Sequence, residues 1–264
     1  MKNVGSLFDD GAEHFERLAP ALWNPMGNAV VAAADIHTGE RVLDACCGSG
    51  ASTIPAAQLV GPEGHVDAID LSAELLELAA AKASALNLES VTFAEADVST
   101  WTGEAPYDAV LCCYGLFFLS DMAAGARNLA EQLRSGGRLA VSTWQEGAHE
   151  PFAALLKEAA YAEQPQLADA PAPKPTRQLE QIASSAKLTE FLDACGFASV
   201  EVHSAPQQLP LDADLAWSLV LGSGYRFLLP EDPDGRERVR ERFIDSLGEN
   251  FTLNADSLIA VATR

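Results

Sequence analysis

The sequence predicts an α/β fold: a doubly wound, Rossmann-like, mostly parallel sheet with helices on both faces. Three observations predict it. Short apolar runs alternate with helical segments between residues 41 and 144, glycines follow the first run and precede the fifth, and acidic side chains close three successive runs. Alternation of strands and helices is typical of parallel sheets, because each crossover between parallel strands needs a helix to return the chain.

The first 40 residues are predicted as an N-terminal helical cover whose first helical run ends at Asn24-Pro25. Apolar side chains recur there at helical spacing: Phe8, Phe15, Leu18 and Leu22. The main domain is predicted over residues 41–264. Its first five strands are predicted at Val42–Cys46, His65–Asp70, Val91–Ala94, Tyr107–Cys113 and Arg138–Trp144.

Helices are predicted between these strands, at Ser52–Val60, Ser72–Leu86 and Met122–Leu133, with Ser72 as an N-cap. Beyond Trp144 the alternation loosens. The segments predicted there are the helices Phe152–Tyr161 and Leu188–Cys195, a proline-rich loop at 165–175, and the strands Ser199–Ser204 and Ser257–Thr263. A helical insert at about 208–253 separates the last two strands and is predicted to act as a lid over a substrate.

The net charge of the chain limits the classes of molecule that it is expected to bind. Seventeen Lys and Arg stand against 38 Asp and Glu, which gives a formal net charge of −21. Such a surface repels phosphate backbones and anionic lipid, so we expect neither nucleic acid nor a membrane as partner. A small molecule is the expected ligand, and the chain is expected to be a monomer or a homodimer.

Cysteines and the N-terminal residues predict the compartment. The five cysteines comprise the pairs Cys46-Cys47 and Cys112-Cys113 and a lone Cys195, a poor framework for disulfides. No histidine or cysteine spacing is typical of a metal site, so no metal is expected. Met1 to Ser6 lack the apolar core of a secretory signal, and a cytoplasmic location is predicted.

The most specific local motif follows the first strand. Gly48 and Gly50, with Ser49 between them, permit a tight turn in front of a helix N-terminus, and Asp44 lies four residues before Gly48. A dinucleotide site has a third glycine where this chain has Thr53. A carboxylate at Asp44 would repel a pyrophosphate but suits a ligand that carries an ammonium group.

Two further acids end the next strands. Asp70 closes the second strand 20 residues beyond Gly50, where an acid accepts the hydroxyls of a ribose, and Asp97 follows the third, where a carboxylate can accept an adenine amine. An amine, a ribose and an adenine without phosphate describe S-adenosylmethionine. We therefore expect S-adenosyl-L-methionine as the cofactor and S-adenosyl-L-homocysteine as the product.

Residues 41–144 resemble a class I S-adenosylmethionine-dependent methyltransferase, in particular the branch similar to the ubiquinone and menaquinone biosynthesis enzymes. The segments that carry the resemblance are Val42–Gly50, Val66–Ser72, Glu95–Val98, Tyr107–Val110 and Leu133–Gly137. The resemblance implies a seven-stranded sheet with the last strand, Ser257–Thr263, antiparallel. Where this chain has Cys46, the family usually has glycine.

The resemblance also implies roles for individual residues. Asp44, Gly48, Ser49 and Gly50 would line the methionine end of the cofactor, and Asp70 would bind the ribose hydroxyls. The positions that would flank the adenine or the pocket wall are Leu71, Asp97, Val98 and Cys113.

Candidates for the acceptor side come from the remaining histidines and aromatic residues. His149 and His14 are the candidate general bases. Five aromatic side chains are predicted to line a substrate pocket: Phe15, Trp23, Tyr114, Trp144 and Tyr225. They favour a small, apolar or cyclic acceptor methylated on carbon, oxygen or nitrogen.

Two other functions remain compatible with the sequence. One is a nicotinamide-dependent oxidoreductase, which Asp44 and the missing third glycine argue against. The other is a methyltransferase fold retained as a binding module without turnover.

Overall fold

The computed structural model describes residues 4–264 and has one seven-stranded sheet at its centre. Its strands are β1 (Arg41–Ala45), β2 (His65–Asp70), β3 (Val91–Glu95), β4 (Tyr107–Cys113), β5 (Leu133–Trp144), β6 (Ala198–Ala205) and, after a smaller pair of strands, β9 (Ser257–Thr263). The spatial order is β3-β2-β1-β4-β5-β9-β6. The first five strands pair in parallel, and β9 is antiparallel to both β5 and β6. The predicted fold class is confirmed, including the antiparallel last strand.

Helices cover both faces and one end of the sheet. They are α1 (Val4–Asp9), α2 (Ala12–Leu18), α3 (Asn24–Ala33), α4 (Thr53–Val60), α5 (Ala73–Ala85), α6 (Met122–Gln132), α7 (Phe152–Glu163), α8 (Lys174–Leu179), α9 (Ser185–Ala194), α10 (Ala213–Leu221) and α11 (Pro233–Leu247). Among the described residues no helix is both long and apolar enough to cross a bilayer.

Polar residues at the helix starts explain several boundaries. Ser72 accepts a hydrogen bond from the backbone N–H of Leu75 at 3.2 Å, which confirms the predicted cap of α5. Asp121 caps α6 in the same way, through the N–H of Ala124. Each cap satisfies a donor that the first turn of a helix leaves without a partner.

Strands β1 and β4 are neighbours in the interior of the sheet, and the core lies around them. Ala109, Val110, Leu111 and Cys112 of β4 are fully buried, as a parallel strand covered on both faces requires. The strand order turns between β1 and β4, so the loops that follow these two strands diverge and leave a crevice at the carboxyl edge of the sheet.

The N-terminal segment differs from the prediction in two ways. A π-helical stretch, Ala19–Trp23, joins α2 to α3, so the helical path does not end at Asn24-Pro25. Pro25 lies in the first turn of α3, where its missing N–H costs no hydrogen bond. Leu18 and Leu22 are fully buried in the main core, so part of this segment completes the core.

Two further elements were not predicted. Helix α8 begins within the predicted proline-rich loop. Pro175 lies in its first turn, where a proline does not interrupt the helix. Strands β7 (Gln208–Leu211) and β8 (Phe251–Asn254) form a separate antiparallel pair, and α10 and α11 lie between them in the chain.

Candidate active site

A glycine turn and a carboxylate meet at the carboxyl edge of the sheet. The backbone N–H of Gly48 donates to one oxygen of Asp70 at 2.8 Å, and the N–H of Ser72 donates to the other at 2.9 Å. Gly48 has a φ of +53°, and a Cβ there would lie 3.2 Å from the ring of Phe15. The turn therefore needs glycine both for its backbone conformation and for space.

Asp70 lines the adjoining cavity together with Gly48 and Leu71. Burial raises the pKa of Asp70, while the backbone N–H groups of Ser72, Gly48 and Leu71 lower it. Each carboxylate oxygen accepts one of the bonds from Gly48 and Ser72 and keeps a second lone pair for a ligand. Leu71 is 41% exposed, so an apolar surface lies open beside the carboxylate.

The carboxylate of Asp44 lies behind the turn and does not line the cavity. It is fully buried and accepts hydrogen bonds from Ser52 Oγ at 2.9 Å and Thr53 Oγ1 at 2.6 Å. Burial raises its pKa to about 7 against the opposing effect of the two hydroxyls. Asp44 thus ties the end of β1 to the start of α4, and any effect on a cofactor would pass through the loop.

A cavity of about 580 Å³ extends from this edge under the helices. Its volume is in the range of small-molecule sites. Neighbouring aromatic rings contact one another along its wall. The distances between their centroids range from 4.0 Å (Tyr114–Trp144, stacked) to 6.3 Å (Trp23–Trp144). The members of this aromatic wall are Phe15, Trp23, Tyr114, Trp144, His149 and Tyr225. The five aromatic residues predicted for a substrate pocket are therefore neighbours, although they are spread over 211 positions, from 15 to 225.

His149 lies at the inner part of the aromatic wall. Its Nδ1 is 3.0 Å from the hydroxyl of Tyr225, which belongs to the short 3-10 helix Gly224–Leu228 between α10 and α11. Nε2 is buried and has no hydrogen-bond partner among the described residues. Burial lowers the pKa of His149 to about 4, so the imidazole is neutral at neutral pH.

Three residues of the cavity wall have left-handed backbone conformations. Cys46, Tyr114 and His149 have φ values of +58°, +54° and +66°. Residues other than glycine, asparagine and aspartate rarely adopt this backbone conformation, and such strain concentrates at functional sites. Cys46 occupies the position where the family has glycine, and it keeps the conformation that glycine would adopt.

Cys113 also lies on the cavity wall, where burial disfavours its thiolate form. Ser142 Oγ donates to its sulfur at 3.3 Å, and burial raises the pKa of the thiol to about 12. Within residues 4–264 all five cysteines are free, and no group of three His, Cys, Asp or Glu side chains is arranged to hold a metal.

The structure does not bring every predicted cofactor residue to the cavity wall. Ser49 and Gly50 lie on the far side of the turn, where Lys82 Nζ donates to the carbonyl of Ser49 and Gly50 lies against Ala79. Val98 is 2% exposed in the core, and one oxygen of Asp97 accepts the N–H of Ser99 at 2.7 Å. A direct contact of these residues with a cofactor stays a prediction.

His14 is also absent from the cavity wall. Its Nδ1 lies 3.4 Å from Ser218 Oγ of α10, and burial lowers its pKa. This histidine faces the insert because α2 turns its aromatic side, with Phe15, toward the cavity.

The sequence analysis missed two groups of cavity residues. Phe8 of α1 was expected only as an apolar residue of the N-terminal cover, yet it lines the cavity, with its ring 5.2 Å from Phe118 in an edge-to-face contact. Ala153, Lys157 and Tyr161 form one face of α7 toward the cavity. Their spacing of four residues was a readable signal, since it places all three on the same side of a helix.

Residues 42–137 match the methyltransferase domain family. The chain is 34% identical over 143 residues to aklanonic acid methyltransferase DauC of Streptomyces sp. (strain C5), a match that covers 54% of this chain and 65% of DauC. Over residues 42–137 this chain therefore has the methyltransferase domain that its sequence motifs predict. It spans less than two thirds of the length of the curated relatives that it matches.

Solved structures share the fold of this methyltransferase domain. Phosphoethanolamine N-methyltransferase 2 of Haemonchus contortus, in complex with S-adenosyl-L-methionine, has a TM-score of 0.59 and 16% identity, covering 97% of this chain and 57% of that one. The [4+2]-cyclase SpnF has a TM-score of 0.60 and 16% identity, covering 99% and 95%. The same fold thus occurs in proteins with different named activities, and only the site can indicate the reaction.

The methyltransferase domain takes S-adenosylmethionine as its cofactor, and the residues present fit that molecule. The free lone pairs of Asp70 suit two ribose hydroxyls, exposed Leu71 suits the face of an adenine, and the turn at Gly48 has no Cβ to obstruct a close approach. The narrower assignment to the ubiquinone and menaquinone branch stays a prediction.

Proposed function

We propose that this chain is an S-adenosylmethionine-dependent methyltransferase that acts on a small, apolar, cyclic acceptor. The observation that carries the proposal is the continuous aromatic wall, which starts beside Gly48 at Phe15 and runs inward to Tyr225. DauC, whose name specifies aklanonic acid, supports a small-molecule acceptor. A folded macromolecule would not fit under the helices.

In the proposed reaction the bound cofactor supplies an activated methyl group on a positively charged sulfur. Asp70 and Leu71 hold the nucleoside end, and the turn at Gly48 lets the methionine end lie close to the backbone. The aromatic wall orients a flat acceptor and excludes water, which is the main catalytic requirement for an in-line displacement with an activated leaving group.

The test is incubation of the purified protein with isotopically labelled S-adenosylmethionine and a small-molecule extract of the source organism. We expect one extract component to gain a labelled CH₃ group in place of hydrogen. The Trp144→Ala variant, which removes the centre of the aromatic wall, should lose this product while still binding S-adenosylhomocysteine. Cofactor binding without methylation of any extract component would favour the binding-module reading.

A further inference from the structure

The stretch that joins α2 to α3 leaves the backbone carbonyl of Phe15 without its helical donor. In an α-helix this carbonyl would accept the N–H of Ala19, four residues later. The N–H of Ala19 donates to Glu16 instead, and Pro20, the next residue, has no N–H. The carbonyl of Phe15 accepts the indole N–H of Trp23 at 2.9 Å. The indole is therefore held against the helix that precedes it.

The carbonyl of Ala21 in the same stretch lacks its α-helical donor for a related reason. That donor would be the N–H of residue 25, and Pro25 has none. The side-chain amide of Gln207 donates to this carbonyl at 2.8 Å. Stretches of π-helix are rare and occur frequently at functional sites, so we ask what this supported stretch does for the cavity.

The backbone of Gln207 is itself held in place between β6 and β7. Its N–H donates to the carboxylate of Asp256 at 3.0 Å, and its carbonyl accepts the N–H of Ala255 at 2.8 Å. The side-chain oxygen Oε1 is buried and has no hydrogen-bond partner within residues 4–264. An apolar side chain would avoid this unpaired oxygen, so the useful part of the amide is the donor that reaches Ala21.

Trp23 lies between the cofactor end of the cavity wall and the rest of the aromatic wall. Its ring stacks on the ring of Phe15 with centroids 4.9 Å apart, and Phe15 is the ring that a Cβ at Gly48 would contact. The ring of Trp144 lies 6.3 Å from that of Trp23. Trp23 is 7% exposed and lines the cavity. A displacement of its ring would therefore change the wall where a methyl donor and a flat acceptor meet.

We infer that Gln207 is a positioning residue for the methyl acceptor. Gln207 lies outside the cavity wall and acts through its hydrogen bond to Ala21, which fixes the π-helical stretch and thereby the ring of Trp23. The ring of Trp23 determines the orientation in which a flat acceptor lies beside the methyl group. This inference rests on the proposed methyltransferase function, and Gln207 takes no part in the chemical step.

The first measurement is hydrogen exchange of the indole N–H of Trp23, followed by NMR. The protein has four tryptophans, and the signal of Trp23 is the one that is absent from the Trp23→Phe variant. Gln207→Met keeps the size of the side chain but has no donor for the carbonyl of Ala21. We expect it to accelerate exchange at Trp23 at least about threefold, because a hydrogen bond that supports the stretch is lost.

Two further variants separate this hydrogen bond from packing. Gln207→Glu keeps the shape of the side chain but offers only acceptors when it is ionised, so it should accelerate exchange at least as much as Gln207→Met. The matched control is Gln208→Met, which changes the neighbouring glutamine, whose amide lies 3.4 Å from Asp256. Exchange at Trp23 should be unchanged in this control. Thermal unfolding checks that each variant is folded.

The second measurement is binding of 2-naphthol, a neutral and flat aromatic probe, to protein saturated with S-adenosylhomocysteine. Calorimetry gives the affinity. Trp23→Ala should weaken naphthol binding at least about fivefold, because a ring of the wall is lost. Gln207→Met should weaken it about threefold, because the ring remains but is no longer held. Gln208→Met should bind the probe as wild type does.

Three results would each overturn the inference: an unchanged exchange rate at Trp23 in folded Gln207 variants, equal acceleration in Gln208→Met, or wild-type affinity for naphthol in Gln207→Met. Absence of naphthol binding to wild type would also contradict it. Binding of S-adenosylhomocysteine is measured first and separately. Its absence would contradict the proposed methyltransferase function, whereas normal cofactor binding with unchanged exchange would contradict only the role of Gln207.

Discussion

Asp70 and Asp44 are two carboxylates at the ends of neighbouring strands whose surroundings give them different roles. Asp70 lines the cavity and keeps lone pairs for a ligand, whereas Asp44 is enclosed by the hydroxyls of Ser52 and Thr53. Their positions in the sequence predicted the same kind of contact for both. Only the direction in which each side chain points distinguishes them.

Replacement of Asp70 tests the ribose contact. We expect Asp70→Ala to weaken binding of S-adenosylhomocysteine at least about tenfold, because both ribose hydroxyls lose their acceptor. Calorimetry measures the affinity, and thermal unfolding checks that the variant is folded. The control is Asp193→Asn, a change at an exposed acid of α9. Unchanged affinity in a folded Asp70→Ala protein would contradict the assignment.

Replacement of Asp44 tests its buried environment through pH. Its folded-state pKa is about 7 against an ordinary 3.8, so the fold favours the protonated carboxyl. The stability that this group contributes is present below about pH 4 and is lost as pH rises through about 7. The loss is on the order of 4 kcal/mol.

Urea denaturation at about pH 4.5 and pH 8 measures this effect. Relative to Asp44→Asn, which has no titrating group but keeps an oxygen for the two hydroxyls, wild type should be less stable at the higher pH than at the lower. Stability profiles that run parallel for the two proteins would show that burial does not shift the pKa of Asp44.

At the scale of elements, the N-terminal helices have two functions that the sequence did not separate. Val4, Gly5 and Phe8 of α1 line the cavity, and Asp9 accepts a hydrogen bond from Ser72 Oγ at 2.7 Å at the start of α5. Further along, Leu18 and Leu22 belong to the main core. We propose that α1 acts only as a cover, whereas α2 and the π-helical stretch after it contribute both to the cavity wall, through Phe15 and Trp23, and to the core.

Two truncations distinguish these functions. Deletion of residues 1–10 should leave a folded protein with several-fold weaker binding of S-adenosylhomocysteine, because it removes cavity wall. Deletion of residues 1–25 should unfold the protein, since loss of each fully buried leucine side chain costs about 2–5 kcal/mol. Circular dichroism and calorimetry measure both effects. A stable fold without residues 1–25, or full cofactor affinity without residues 1–10, would contradict the division.

The elements of the parallel sheet were predictable because their signals are local. Apolar runs such as Tyr107–Cys113, bounded by a proline or by glycines, indicate buried strands without knowledge of their neighbours. Strands β7 and β8 are four residues each and were not predicted, because they are too short for a periodic pattern. Helix α8 was missed because prolines that usually break a helix lie at its start, where they are tolerated.

The site was predictable only in part, for the same reason. Gly48 and Asp70 can be recognised in the sequence, because their residue types and their spacing after predicted strands are typical of a cofactor site. The pairing of His149 with Tyr225 joins residues 76 positions apart on the main domain and the insert. No local pattern encodes that contact.

At the scale of the whole molecule, a strongly acidic chain encloses an aromatic cavity that has two lysines in its wall. The charge of −21 and the carboxylates at the strand ends disfavour ligands with phosphate groups near Asp70. A nucleoside without phosphate avoids that repulsion. The whole fold therefore favours S-adenosylmethionine over a dinucleotide.

Thermal unfolding with ligands compares these two classes directly. S-adenosylhomocysteine at about 100 times its dissociation constant should stabilise the fold by about 2.7 kcal/mol and raise Tm by several degrees. NADH at the same concentration should leave Tm unchanged. A larger shift with NADH would favour the oxidoreductase reading.

A crystal structure with bound S-adenosylhomocysteine tests the central claim most directly. It should show both ribose hydroxyls on the carboxylate of Asp70, the adenine against Leu71, and the homocysteine end beside Gly48 with its sulfur toward the aromatic wall. A ligand bound elsewhere, or in this cavity with its ribose away from Asp70, would contradict the account.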